Sequence, residues 1–521
     1  MQFLIRNVVL SRGLLFLGVI SFFCILFFLT PNGLGASPDS VAYLRAAKDF
    51  IAGNGLLSFT SQWPPLYPAL IILITEFFGL NLLTGARVLQ GLILSANFLA
   101  VYFVIRSYSP LGRLISILFA ALLCLQGVIS YTHFYAWTEP LFILFILLNL
   151  IVLSKINSNT NNKLIYIFLI LLSILTVYTR YIGLIVAVLN GLVVFTCRNT
   201  KLYKRFFWAI IQIIVPLVAI TPWLLHRSAI QTANTDRQLI VSGISFETLQ
   251  AGFGNIGRWI LPSKVSAEHY GGSIIQIGIG ITVLLIIAVL LILFIWKIIT
   301  NKNFNNQDVI SRDNNYLSNI YPVILFIILY FLSILFFISF VDKKIMLDNR
   351  ILSPIYLPVL IFIICSFSNV RNRIICFAGL MVIAILLSFF YPELRARLLI
   401  SYFNGIELSS KNMFSKPINI FVNKCKTDAN VGSDLPWNYD LFFNKKVYWL
   451  PQQSLFGSGL INNNYKNEIA QLSNHLDIVI VENKDSDIVR EIEAIPVFHK
   501  IYDNDGFVWA NINYKNNICG L

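Results

Sequence analysis

Apolar runs long enough to cross a bilayer follow one another from residue 13 to residue 391, with polar breaks between them. A hydrocarbon core takes about 18–20 apolar residues per helical crossing. Backbone groups inside it find no water, so only helices and closed barrels cross. These runs lack the alternation of barrel strands, so they read as helices. The candidate spans are 13–30, 64–80, 83–105, 112–130, 136–154, 163–178, 181–197, 206–226, 273–297, 319–340, 351–369 and 374–391. With 57% hydrophobic and 12% charged residues, the chain has too little polar surface for a soluble protein of 521 residues.

The formal charge is +14, and its location argues for the bilayer as partner and against nucleic acid. Basic residues cluster in short loops, at Arg106/Arg113, Lys155/Lys163, Arg198–Arg205, Lys297/Lys302 and Arg371/Arg373. That is how cytoplasmic loops are marked; attraction to anionic headgroups is a second reading. Arg6 and Arg12 precede the run Leu14–Leu29, which lacks a small-residue cleavage site and reads as a retained first span starting in the cytoplasm. The charge pattern puts the polar stretches 31–63 and 227–272, Arg180, 341–350 and the C-terminal region outside. If every candidate crosses, however, 31–63 and 227–272 fall on opposite faces. One segment is then re-entrant, merged or not a crossing, and 64–80 and 163–178 are the suspects. The expectation is a polytopic α-helical membrane protein of about 11–13 spans.

Past residue 391, Asn, Lys and Asp become frequent and short alternating runs appear at Lys446–Leu450, Leu476–Val481 and Gly506–Ile512. They predict a small α/β domain over 392–521, outside the cytoplasm, after a membrane module over 1–391. Cys24, Cys124, Cys197, Cys365 and Cys376 lie in or at the ends of spans as core thiols, and Cys425 and Cys519 are able to pair in an oxidising compartment. No cysteine spacing resembles a zinc site.

Ser37–Gly55 carries the marks of a helix outside the membrane: Ser37 as N-cap, Pro38 at the first helical position, and Gly53 or Gly55 as the stop. Its Val41, Leu44, Ala47 and Ile51 are suited to lie on the membrane surface. Asp39 in the first turn either complements the helix dipole or offers a carboxylate where a lipid phosphate and a sugar meet. Glu139, Arg180 and Arg350 stand at span edges on the same side. Charge at membrane depth is costly and tends to be functional, although a span-edge arginine also snorkels and Glu139 also suits a helix start. His133 reads as structural. No glycine-rich phosphate loop, nucleophile elbow or metal box is present.

Asp39 just past the first span, Tyr43, and Trp63-Pro64-Pro65-Leu66-Tyr67-Pro68 together resemble the opening of the GT-C superfamily, in particular the family 39-like group of protein O-mannosyltransferases and the lipid A aminoarabinose transferase. Trp137-Thr138-Glu139-Pro140, Thr179-Arg180-Tyr181-Ile182-Gly183-Leu184, Pro222-Trp223 with His226 and Arg227, and Asp348-Asn349-Arg350-Ile351-Leu352-Ser353-Pro354 resemble later elements of that family in order. The resemblance implies a glycosyltransferase of the bacterial inner membrane that takes its sugar from a polyprenyl-phosphate carrier for a lipid, glycan or protein acceptor. It makes Asp39 and Glu139 the catalytic candidates. Arg180, Tyr181, Arg350, Tyr43, Arg45 and Tyr67 become candidates for the substrate and lipid phosphate. Ser40 stands where many members carry a second acid, and no cofactor is expected, a divalent metal being disfavoured. The competing readings are a transporter or flippase of lipid-linked substrates and an O-antigen-type polymerase or ligase.

Overall fold

The computed structural model describes residues 2–512 apart from 60–62, 157–161, 197–200, 231–243, 262–272, 286–311, 341–346, 371, 426–428, 442, 444–445, 453–461, 463, 473–474 and 485. The membrane module consists of α1 (Gln2–Leu29), α2 (Pro38–Asp49), α3 (Leu66–Phe78), α4 (Leu82–Tyr108), α5 (Arg113–Cys124), α6 (Gly127–His133), α7 (Glu139–Leu153) and α8 (Lys163–Thr179). It continues through α9 (Leu184–Thr196), α10 (Leu202–Ile230), α11 (Phe246–Arg258), α12 (Ile274–Leu285), α13 (Arg312–Phe340), α14 (Asn349–Ser368), α15 (Arg373–Ser388) and α16 (Tyr391–Phe403). Among the described residues six helical segments are long and apolar enough to cross a membrane alone, or seven if α5 and α6 form one broken span. Helices α3, α7, α8, α9 and α12 are apolar but shorter. The two suspects of the sequence reading, 64–80 and 163–178, are both of this kind.

The run 112–130 is not one straight helix: α5 and α6 meet at a bend of 65°. Gln126 caps α6 from the break, and its Nε2 donates to Leu122 O at 2.9 Å and to Leu387 O at 3.0 Å, tying the bend to α15. A bend with an amide to satisfy the freed carbonyls is tolerable in an apolar setting. The core is one continuous cluster running through α4, α7, α13 and α14, while α1, α10 and α15 keep broad apolar faces outward.

Helix α2 starts as its sequence predicts. Ser37 is the N-cap, its Oγ accepting from Ser40 N at 3.4 Å, and Pro38 occupies the first turn. Past Asp49 the helix loosens into a wide turn that ends at Gly53, whose φ of 99° suits only glycine. The expected membrane-facing stripe is corrected: Val41, Leu44 and Ala47 are buried within the protein, Leu44 and Ala47 in the core shared with α3, and only Ile51 is exposed.

After α16 come α17 (Lys411–Ser415) and α18 (Pro417–Lys424), then a domain with β1 (Asn430–Ser433), β2 (Lys446–Trp449), β3 (Ile478–Val481), β4 (Phe498–Asp503) and β5 (Phe507–Asn511). The sheet order is β2-β1-β3-β5-β4. β1 is parallel to both β2 and β3, and β5 is antiparallel to β3 and β4. Helices α19 (Trp437–Asp440), α20 (Tyr465–Leu472) and α21 (Asp487–Glu493) connect the strands. Cys425 is disulfide-bonded; Cys519 lies outside the described residues.

Candidate functional site

Four helix ends meet at one point. Asp39 lies in the first turn of α2, Glu139 opens α7, Arg350 is in the first turn of α14, and Arg180 caps the C-terminus of α8. Carboxylates at helix N-termini and an arginine at a C-terminus complement the helix dipoles. Arg350 stands against the dipole of α14, so it depends on the acids beside it. The approach is set by a strand-like bridge: Gly35 N donates to Phe134 O at 2.8 Å and Ala136 N to Gly35 O at 3.0 Å. This bridge fixes the segment before α2 alongside the segment before α7. A Cβ on Gly35 would sit 2.9 Å from the Tyr135 ring, so the close approach requires glycine.

The charged groups form a chain. Arg350 Nη2 lies 2.5 Å from Asp39 Oδ2, and Arg350 Nε donates to Glu139 Oε1 at 2.5 Å. Arg180 Nη1 pairs with the same Glu139 oxygen and donates to Thr138 Oγ1 at 3.2 Å. Glu139 has no solvent exposure, whereas the Asp39 side chain is 24% exposed. A buried carboxylate between two guanidinium groups has its charge compensated. The two acids and two arginines together are neutral. Without Asp39 the remaining three carry one positive charge. The Arg350 guanidinium lies over the Trp137 ring, 4.5 Å from its centroid. Trp137 stacks on Tyr135 at 4.1 Å and donates from Nε1 to Ser37 Oγ at 2.7 Å. Tyr135 in turn donates to Glu407 Oε1 at 2.9 Å.

Tyr43 and Tyr67 are buried behind this chain, edge to face at 5.6 Å. Burial, together with the Asp39 carboxylate, pushes the Tyr43 hydroxyl pKa up, so it stays protonated. Tyr67 donates to Gln90 Oε1 at 3.5 Å. Both ring nitrogens of His133 are engaged: Nδ1 is 2.7 Å from Ile129 O and Nε2 is 3.0 Å from Asn97 Nδ2, so the first donates and the second accepts.

No protein-family model and no curated protein sequence matches the chain. Solved structures do. ArnT from Cupriavidus metallidurans in the apo state aligns over 96% of this chain and 98% of its own, with a TM-score of 0.52 at 13% identity. The same protein bound to undecaprenyl phosphate aligns over the same shares with a TM-score of 0.53 at 14% identity. The Archaeoglobus fulgidus oligosaccharyltransferase in its apo form reaches a TM-score of 0.49 at 10% identity, over 97% of this chain and 75% of its own. The chain has the GT-C fold.

Two sequence candidates stand apart from the ion-pair chain of this GT-C module. Arg45 lies on another face of α2, where Nη1 donates to Asp440 Oδ2 of the C-terminal domain and Nε is 3.5 Å from Asp49. Tyr181 lies in the turn between α8 and α9, its hydroxyl accepting from Trp223 Nε1 at 3.1 Å. Two further features were not read from the sequence as site elements: the Trp137 platform and the capping of α14 by Asp348, whose Oδ1 accepts from Ile351 N at 2.8 Å. An Asp two residues before Arg350 and ahead of a long apolar run is a legible N-cap signal.

Proposed function

We propose that this GT-C protein is a glycosyltransferase that moves a sugar from a polyprenyl-phosphate carrier to an acceptor hydroxyl on the non-cytoplasmic face of the membrane. In this reading the catalytic module, read over residues 1–391, continues through α16, and the rest of the region 392–521, with its sheet, is an extracytoplasmic domain. The observation that carries the reading is the placement of Arg350. It sits at the N-terminus of α14, held between Asp39 and Glu139, and two residues on, Leu352 begins the lining of an apolar groove of about 410 Å³. Ile355 and Val359 of α14 and Trp259 and Ile327 of neighbouring helices continue that groove. A cation at a helix N-terminus above an apolar groove suits a phosphate with a hydrocarbon tail. ArnT, with the same fold, has been solved with undecaprenyl phosphate.

The chemistry follows from the charge arrangement. A donor phosphate competes with Asp39 for Arg350 Nη2, while Glu139 keeps its hold on Nε. The exchange frees the Asp39 carboxylate to take the acceptor's proton as its oxygen attacks the anomeric carbon. The sugar–phosphate bond breaks, and the charge gained by the departing lipid phosphate falls on Arg350, oriented in advance by Glu139 and the Trp137 ring. Glu139 is in this scheme a positioning residue. The donor set does not fit a metal: Asp39 and Glu139 share a guanidinium, and among the described residues no three His, Cys, Asp or Glu side chains gather to hold an ion.

Radiolabelled polyprenyl-phosphate sugars offered to membranes containing wild type or Asp39→Asn test the reading. We expect the variant to insert normally and to lose transfer by about 10²-fold or more. Equal donor consumption by both proteins overturns the role of Asp39, and consumption by neither overturns the transferase reading for that donor panel.

A further inference from the structure

A second cavity lies on the outer side of α2. It measures about 790 Å³ and is walled on one side by Ala42, Arg45 and Asp49 of α2 and on the other by Trp437 and Asp440 of α19. That volume is in the range of small-ligand sites. Unlike the groove beside α14, its lining is mixed: two carboxylates, a guanidinium and the Asn54 amide beside an indole. Arg45 bridges its two walls through Asp440 and Asp49.

Two independent features tie this cleft to the site. Ala42 and Ala46, both in its lining, follow Asp39 at three and seven positions and border its stripe of the helix, while Arg45 and Asp49 open the cleft onto the neighbouring face. By helical rise the backbone of Ala42 lies about 5 Å along α2 from that of Asp39. The sheet supplies the second feature. The chain leaves β1 for β2 on one side and then passes to β3 on the other, so β1 and β3 form a topological switch point. In open α/β sheets ligands bind beyond the carboxyl ends of the strands at that point. Trp437 and Asp440 belong to the segment that leaves the carboxyl end of β1.

We infer that this cleft holds the acceptor and that the acceptor presents a carbohydrate there; the inference rests on the transferase reading above. An indole face packs against the apolar face of a sugar ring, and carboxylate, amide and guanidinium groups pair with its hydroxyls. Arg45, Asp49 and Asp440 together carry one negative charge, which disfavours a phosphate-rich headgroup and suits a neutral or amino sugar.

The test uses the full-length protein in native-host membranes, with Ala42→Trp to fill the cleft and Trp437→Ala to remove its platform. Label leaving a radiolabelled polyprenyl-phosphate sugar is followed into membrane product and into free sugar, and binding of undecaprenyl phosphate is measured in parallel. The inference expects product to fall by about tenfold or more in both variants, with undecaprenyl phosphate binding within about twofold of wild type. Normal product formation by both variants overturns it. Saturation-transfer NMR of the purified protein, with oligosaccharides released by mild acid from the host's own envelope as probe, reads the cleft without turnover. Signal in wild type that Ala42→Trp abolishes supports the inference even if no donor in the panel is consumed. Absence of signal in wild type overturns it while leaving the Asp39 result to judge the transferase reading.

Discussion

Glu139 is the one acid of the site with no exposure at all, and two guanidinium groups converge on the same one of its oxygens. Removing one member of a buried, compensated cluster leaves uncompensated charge behind. Glu139→Ala is therefore expected to cost about 3–5 kcal/mol of stability, seen as a lower denaturation midpoint in mild detergent. A cost below about 1 kcal/mol would mean that water already screens Arg180 and Arg350. The sequence disclosed these charges because ionisable groups at span edges are few, and Asp39, Glu139, Arg180 and Arg350 all fall on one predicted side. It did not disclose which of them touch, because that depends on the Gly35 bridge and on Trp137, whose indole looks like any other interfacial aromatic. Arg45 stands apart from the ion-pair chain for a reason that helical phase explains. Six residues turn a helix by about 600°, well off the face of Asp39.

Helices α11 and α12 cross with almost no separation. A Cβ on Gly257 would meet the Gln276 carbonyl oxygen at 1.8 Å, and one on Gly280 would meet the Phe253 carbonyl oxygen at 1.9 Å. Both obstacles are backbone, so no rotamer change relieves them, and small residues of this kind let helices approach in membranes. The pair carries Phe253, Ile256, Trp259, Ile281 and Leu284 of the apolar groove. Gly280→Leu is expected to push α12 away, at about 1–3 kcal/mol, and to raise the KM for a long-chain donor more than that for a short-chain analogue. An equal effect on both donors would show that the groove does not hold the tail. Apolar helices were the legible part of the fold, since hydropathy reports them directly, although among the described residues six or seven, against the expected 11–13, are long enough to cross alone; β2, β3 and β5 were legible through alternation. The bend between α5 and α6 was not, because hydropathy carries no angle and Gln126 was its sole polar mark. β1 escaped because Asn430–Ser433 is short and polar at both ends, and its burial comes from strands on either side.

The C-terminal domain is tied to the membrane module where Arg45 of α2 grips Asp440, and the link leading to it is held where Leu408 N donates to Ala36 O at 3.3 Å. Burial raises the Asp440 carboxyl pKa, and Arg45 opposes this only in part. A folded-state value above the unfolded one gives a contribution present in acid and lost as pH rises through the folded value. Asp440→Asn, which cannot ionise, should therefore gain stability relative to wild type between about pH 4 and pH 7. Movement the other way would show that the Arg45 pair outweighs the burial cost. The proposed orientation makes a separate demand. The segment Arg373–Phe403, α15 running into α16, is long and apolar enough to cross a membrane, with exposed Asn372 before it and exposed Lys411 after it. In that orientation Arg371 and Arg373 put the first end in the cytoplasm, and the second end and the sheet domain follow outside. A membrane-impermeant maleimide applied to intact cells should label Lys411→Cys at once and Asn372→Cys only after permeabilisation. The opposite pattern would put Asp39, the cleft and the sheet domain in the cytoplasm and exclude a donor presented on the outer face. Labelling of both in intact cells would mean that Arg373–Phe403 enters and leaves on one side, and the parity of every earlier span would have to be reassigned with it.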